Sequence, residues 1–185
     1  MSTFVIAEAG VNHNGSADLA LQLVDAAACC GADAIKFQTF SADRLVRRGA
    51  AKAAYQLAAT GDGDQHSMLS ALELSKQMHH ALLERCMQRG IEFMSTPFDE
   101  DAADFLVALG MSRIKIPSGE ITNYPFIRHL ARKDLPLILS TGMATLAEIE
   151  DATAVISAER AASGLCQPLA DVLTVLHCTS NYPAD

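Results

Sequence analysis

The chain has no cluster of lysines or arginines, no long hydrophobic run, no paired-cysteine spacing and no low-complexity tract. Its 185 residues carry 14 basic against 22 acidic groups, for a net charge of −8. A nucleic-acid binder presents a basic face, so that class is excluded. A few local lysines and backbone N–H groups can still hold an anion inside an acidic protein. The apolar stretches fall far short of the roughly 20 residues of a membrane span. No basic segment precedes the first apolar run, so neither a membrane helix nor a signal peptide is expected. The five cysteines (Cys29, Cys30, Cys86, Cys166 and Cys178) are odd in number and lack zinc spacing. They read as free thiols in a reducing cytoplasm. Half the residues are apolar and 19% are charged, the composition of a soluble domain with a sizeable core.

What is present is a repeated pattern. Six short apolar runs end in polar residues: Glu8; Lys36 with Gln38; Ser95 with Thr96; Lys115 with Ser118 and Glu120; Ser140 with Thr141; and His177 with Ser180. The runs predict strands over 4–7, 32–38, 91–95, 112–116, 135–140 and 171–177. Segments of helical periodicity separate them, opened by the caps Ser16, Ser75, Asp99, Asn123 and Thr145. Thr145 and Glu148 have capping-box spacing. Gly31, Gly90, Gly110 and Gly164 mark helix ends. These are successive βα units, and in a parallel α/β barrel the C-terminal strand ends build the active site. Residues 39–74 form a long excursion, with an alanine-rich helical piece over 50–59, that serves either as a cover for the site or as a spacer. A closed barrel needs eight strands and typically ~250 residues. Six strands therefore imply a (β/α)8 TIM-type barrel truncated to about six βα units, with an open doubly wound sheet as the alternative.

The strand ends carry the chemistry. Glu8 closes an apolar strand, where desolvation would suit it to acid/base work, unless a neighbouring lysine neutralises it. In Ile35-Lys36-Phe37-Gln38 side chains alternate, so Lys36 and Gln38 share a face. Lys36 and Lys115 each sit inside an apolar run and need an anionic partner. A bound phosphate or carboxylate would serve, as would Glu8 or Glu120, and burial would also suit either lysine to Schiff-base chemistry. Ser118-Gly119-Glu120, Ser95-Thr96-Pro97 and Ser140-Thr141-Gly142 are hydroxyl-rich strand ends that together suggest an anion cradle. His13 is either a hydrogen-bonded loop residue or a catalytic one. His177 reads as a satisfied buried histidine, and His79 and His80 as packing or surface residues.

At these motifs the sequence resembles the sialic acid synthase family, which comprises N-acetylneuraminate synthase and its legionaminate and pseudaminate relatives. The resemblance runs through Ile6-Ala7-Glu8-Ala9-Gly10-Val11-Asn12-His13-Asn14-Gly15 and Gly31-Ala32-Asp33-Ala34-Ile35-Lys36-Phe37-Gln38-Thr39-Phe40. It continues through Phe93-Met94-Ser95-Thr96-Pro97-Phe98-Asp99 and Lys115-Ile116-Pro117-Ser118-Gly119-Glu120-Ile121-Thr122-Asn123. Leu139-Ser140-Thr141-Gly142-Met143 and Leu176-His177-Cys178-Thr179-Ser180 complete it. Six collinear motifs are far more specific than any one.

The resemblance implies a transferase that condenses phosphoenolpyruvate with an N-acetylmannosamine-type sugar, releasing phosphate and forming a nonulosonic acid in the cytoplasm. By matched position, Lys36, Thr96, Lys115, Ser118, Ser140 and Ser180 would hold phosphoenolpyruvate. Gln38 and Tyr182 would contact the sugar, and Glu8 and Glu120 would be catalytic. The family also implies a divalent metal, Mn2+ or Mg2+, whose histidine ligands follow the seventh and eighth strands and have no counterpart here. It implies a C-terminal antifreeze-like domain and a homodimer. Residues 1–185 would then be a partial barrel domain, with little turnover expected of this form. The competing readings are a Schiff-base aldolase barrel and a non-catalytic sugar- or phosphate-binding fragment.

Overall fold

A computed structural model of the chain describes residues 3–51 and 62–179. The chain divides into two compact units, Met1–Met94 and Ser95–Asp185. The alanine-rich piece expected over 50–59 lies almost wholly outside the described residues, as do Ser180 and Tyr182.

In the first unit, β1 (Ile6–Gly10) leads through α1 (Ala17–Cys29) to β2 (Ala34–Thr39). The short helices α2 (Ala42–Leu45) and α3 (Gln65–Ser70) precede α4 (Lys76–Arg89), which leads into β3 (Glu92–Pro97). The strands form one sheet in the order β1-β2-β3. β1 and β2 are parallel, with Ile6 opposite Ala34 and Glu8 opposite Lys36. The ladder then slips between Glu8 and Gly10, a bulge that aligns Gly10 with Phe37.

Helix α1 starts where Ser16 accepts the N–H of Leu19, and it buries Ala20, Val24 and Ala27 at helical spacing. Helix α4 starts where Ser75 accepts from Met78, ends at the left-handed Gly90, and buries His79, Leu82 and Cys86. The two helices pack side by side, with Asp25 of α1 accepting from Arg89 Nε at 2.7 Å and pairing Arg85 at 3.1 Å. Beneath them, the Phe37 and Phe93 rings stack at 6.2 Å, and His79 meets Phe93 edge-on.

The excursion after β2 is tied back to the sheet. Glu73 accepts the Ala42 N–H at 2.6 Å. His79 donates from Nδ1 to the Ser75 carbonyl at 2.8 Å, so its Nε2 accepts the Thr39 hydroxyl, also at 2.8 Å. A Cβ at Gly15 would collide with the carbonyl oxygen of Ala71, so the loop after β1 abuts the end of α3 and admits no side chain there.

In the second unit, α5 (Glu100–Ala108), β4 (Ile114–Ile116), a 3-10 turn (Ser118–Glu120), α6 (Tyr124–Ala131) and β5 (Leu137–Ser140) follow in order. Then come α7 (Leu146–Ala162), α8 (Leu169–Val172) and β6 (Leu173–Leu176). β4, β5 and β6 form a second sheet in that order, parallel throughout, with Lys115 opposite Ile138 and Ser140 opposite Leu176. Ile114, Ile116, Leu137 and Leu139 are buried on one face. Lys115, Ile138 and Ser140 belong to the other by alternation. Phe126, Ile127 and Leu130 of α6 and Ala152 and Ile156 of α7 complete the core.

Thr145 and Glu148 form the expected capping box. Glu159 joins the two helices by accepting from Arg132 at 2.7 Å and Arg128 at 3.3 Å. Asp99 caps α5 through the Ala102 N–H.

All six strands start one or two residues later than the apolar pattern predicts. At the first, the Val5 N–H goes to the Asp33 carboxylate while the Val5 carbonyl takes the N–H groups of Asp33 and Ala34. At the sixth, residues 169–172 turn as a helix before β6 begins. The described residues thus form two three-stranded sheets, where the pattern alone predicts one six-stranded run.

Candidate functional site

The bulge at Gly10 builds the first cluster. Gly10 sits at φ +51, a left-handed conformation that favours glycine. A Cβ there would lie 3.1 Å from Glu8 Oε1 and 3.6 Å from Gln38 Nε2. The Glu8 carboxylate and the Gln38 amide therefore both reach the space over this glycine. Lys36, between Ile35 and Phe37, turns the same way as Gln38, and its Nζ is ion-paired with Glu8 Oε2. The Lys36 side chain is 6% exposed and that of Glu8 53%. Three predicted site residues, Glu8, Lys36 and Gln38, thus share the ends of β1 and β2.

The desolvated setting expected for Glu8 is not found. The carboxylate extends past the bulge into the open and is neutralised by the lysine on the next strand, while the burial falls on Lys36.

His13 lies elsewhere. Its Nδ1 accepts the Gly15 N–H at 3.0 Å, which places the ring proton on Nε2, and the ring leans on Phe37 at 6.4 Å. Phe37 points away from the Lys36 face of β2, so His13 is part of the packing there. It is fully buried, its Nε2 has no hydrogen-bond partner, and burial holds its imidazole below the ordinary 6.5. His79 is also lowered, by burial first, against the bond to Ser75 that raises it. It acts in packing, in line with the sequence reading.

The second unit holds a separate set. Thr96 near the end of β3 is 2% exposed, and its Oγ1 has no partner. A buried hydroxyl without a partner is a group that a bound acceptor would satisfy. Lys115 lies on β4, half-buried, on the same face as the buried Ser140 at the end of β5. Ser118 and Glu120 follow β4 in the 3-10 turn. Glu120 accepts from Asn123 Nδ2 at 2.7 Å.

At the end of β5, Thr141 donates its hydroxyl to the Leu176 carbonyl at 2.7 Å and its N–H to Cys178 Sγ at 3.2 Å. This clamps the end of β5 to the end of β6, next to Ser140. Burial pushes the Cys178 thiol up, but bonds from the Thr141 N–H, the Ser140 hydroxyl and the Gly142 N–H outweigh it, and the net shift is downward. Sequence reasoning missed Cys178 and Thr141 as a pair, and it treated Asn123 only as a cap. The dense Ser140-Thr141-Gly142 run was the one available signal. Among the described residues, no three His, Cys, Asp or Glu side chains come together as a metal site.

Alternating strands and helices, with polar side chains at the ends of the strands, define an α/β architecture. The structure of N-acetylneuraminic acid (sialic acid) synthetase from Leptospira borgpetersenii, solved with citrate, matches with a TM-score of 0.80 at 31% identity, over 100% of this chain and 57% of that one. This likeness supports an α/β-barrel fold. The chain belongs to the NeuB family, whose sequence model matches residues 23–185. It is 54% identical over 185 residues to N,N'-diacetyllegionaminic acid synthase of Legionella pneumophila, covering 100% of this chain and 51% of that protein. The synthase of the same name from Campylobacter jejuni is 45% identical over 183 residues, covering 98% of this chain and 53% of that protein. The chain thus spans about half the length of the curated relatives it matches.

Proposed function

We propose that this chain forms the phosphoenolpyruvate-binding part of a nonulosonic acid synthase. The reaction is condensation of phosphoenolpyruvate with an N-acetylmannosamine-type sugar, or its diacetylated trideoxy analogue, with release of phosphate. In this reading residues 1–185 are about six βα units of a (β/α)8 barrel. Two further units and a small C-terminal domain belong to the whole cytoplasmic enzyme, a homodimer. The observation that carries the proposal is the buried ammonium of Lys36 held at a strand end by a half-exposed carboxylate, Glu8, with the Gln38 amide beside it. Kinship with the legionaminic acid synthases supports it.

In the proposed chemistry, a substrate anion competes with Glu8 for Lys36. Once displaced, Glu8 is free for acid/base work. Lys36 and Lys115 supply positive charge to the phosphoenolpyruvate, and the hydroxyls of Thr96, Ser118, Ser140 and Ser180 donate to its oxygens. Such fixed donors stabilise charge as it moves in the transition state. C3 of phosphoenolpyruvate forms a bond to the aldehyde carbon of the open-chain sugar, whose oxygen takes up a proton. The cationic C2 adds water, losing a proton, and the C–O bond to phosphate breaks to give the 2-keto acid. Gln38 and Tyr182 hold the sugar, and Glu120 assists the proton transfers.

The divalent metal of this reading would act as a Lewis acid on the aldehyde. The described residues bring together no three side chains that would hold it.

The test is phosphate release from phosphoenolpyruvate with each candidate sugar. It is run on this chain and on a form extended through the remaining βα units and domain. Release with one sugar by the extended form supports the proposal. Trapping of a keto acid on Lys36 or Lys115 by borohydride would replace it with Schiff-base chemistry.

A further inference from the structure

Asn123 joins two jobs in one side chain. Its Oδ1 accepts the Phe126 N–H at 3.4 Å and so caps α6. Its Nδ2 donates to Glu120 Oε2 at 2.7 Å. Its backbone N–H also bonds the Glu120 carbonyl at 2.9 Å, which fixes the separation of the two residues. The two side-chain bonds are mutually consistent. With the oxygen committed to a backbone donor, the amide must turn its NH2 toward the carboxylate. Pro125 follows at the start of the helix, where its locked φ stiffens the entry.

Capping alone does not call for this residue. Ser, Thr and Asp cap equally well, and they are the side-chain caps of α1, α3, α4, α5 and α7. Serine is too short to reach across to Glu120, and aspartate would set a second negative charge beside it. An amide can cap the helix and donate to a carboxylate at once.

We infer that Asn123 is a positioning residue for Glu120. It holds the carboxylate in one rotamer at the head of α6. The inference rests on the proposed role of Glu120 in proton transfer. Glu120 is half-exposed at the end of the 3-10 turn, where its long side chain would otherwise sample several rotamers. Tying it to a helix start converts it into a fixed group, the pre-organisation that acid/base catalysis needs.

The experiment uses the whole chain carrying Asn123→Asp, Asn123→Ser or Asn123→Ala. Two quantities are read: the thermal midpoint, and the χ1 rotamer distribution of Glu120 from three-bond NMR couplings to its Hβ protons, assigned with Glu120→Gln. Asp and Ser keep the cap, so both variants unfold near the wild-type temperature, while Ala falls by roughly 2–4 °C. Loss of the donor spreads Glu120 over several χ1 rotamers in both Asn123→Asp and Asn123→Ser, where the wild-type chain holds one. A Glu120 rotamer distribution that is the same in Asn123→Asp and wild type, with the cap intact, would make Asn123 a helix cap only and overturn the inference. These readouts need no turnover. Failure of the synthase reading would instead appear as absence of phosphoenolpyruvate binding, with the Asn123–Glu120 coupling unchanged.

Discussion

The ammonium of Lys36 is buried while the carboxylate that neutralises it, Glu8, is half-exposed, and the two face each other in register across β1 and β2. The asymmetry matters. Removing Glu8 leaves a buried charge without its partner, whereas removing Lys36 leaves a carboxylate that water can solvate. Glu8→Gln should therefore destabilise the chain more than Lys36→Met does. Urea unfolding of the two variants checks the order, and the reverse order would show that Glu8, not Lys36, bears the burial.

Gly10 should resist substitution for two reasons. Its positive φ makes alanine unfavourable by about 1–2 kcal/mol. The new Cβ would also crowd Glu8 Oε1, the far end of a flexible side chain. Gly10→Ala should lower the denaturation midpoint and loosen the Glu8–Lys36 pair. A crystal structure of the variant with that pair undisturbed would show that the bulge does not organise the cluster.

Much of this frame is legible in the residues. Ser16, Ser75, Asp99, Asn123 and Thr145 all cap helices, because a short side-chain acceptor ahead of an apolar periodic segment has few other uses. The alternation around Lys36 placed it with Gln38 correctly. Of the two readings of Glu8, neutralisation by a neighbouring lysine is found and desolvation is not, because a strand-end residue looks buried from its apolar neighbours and the bulge at Gly10 leaves no periodic mark. The helices α2, α3 and α8 are too short for a 3.6-residue period to register. The contact between Thr141 and Cys178 spans 37 positions and exists only because β5 and β6 are adjacent.

Stability should fall in mild acid. Burial lowers the imidazoles of both His13 and His79 from 6.5 in the folded chain. The unfolded chain therefore binds protons at a pH where the folded chain does not. By linkage, stability is full above the unfolded value and is lost as the pH falls below 6.5 toward the folded values. Urea midpoints at pH 7.5 should exceed those at pH 5.5, and His79→Gln should remove part of the difference. Equal midpoints at both pH values would contradict the assignment of the two histidines as buried and neutral.

The cysteines should differ in reactivity. Burial pushes the Cys86 thiol up to about 12, while the donors around Cys178 bring it below its ordinary value. The thiolate is the nucleophile, so Cys178 should be alkylated by iodoacetamide at pH 8 well before Cys86, which should stay unmodified until the chain unfolds. Peptide mass spectrometry over time reads this directly. Equal labelling of the two would mean that the clamp at Thr141 does not form in solution.

The central claim is that Lys36 is an anion-binding residue released from Glu8 by substrate. Calorimetric titration of phosphoenolpyruvate into the chain and into Lys36→Met tests it most directly. A charge-assisted hydrogen bond contributes about 1.5–3 kcal/mol, so the variant should bind roughly ten- to hundredfold more weakly while remaining folded. Equal affinity of the folded variant and the wild-type chain, or no binding by either, would contradict the account.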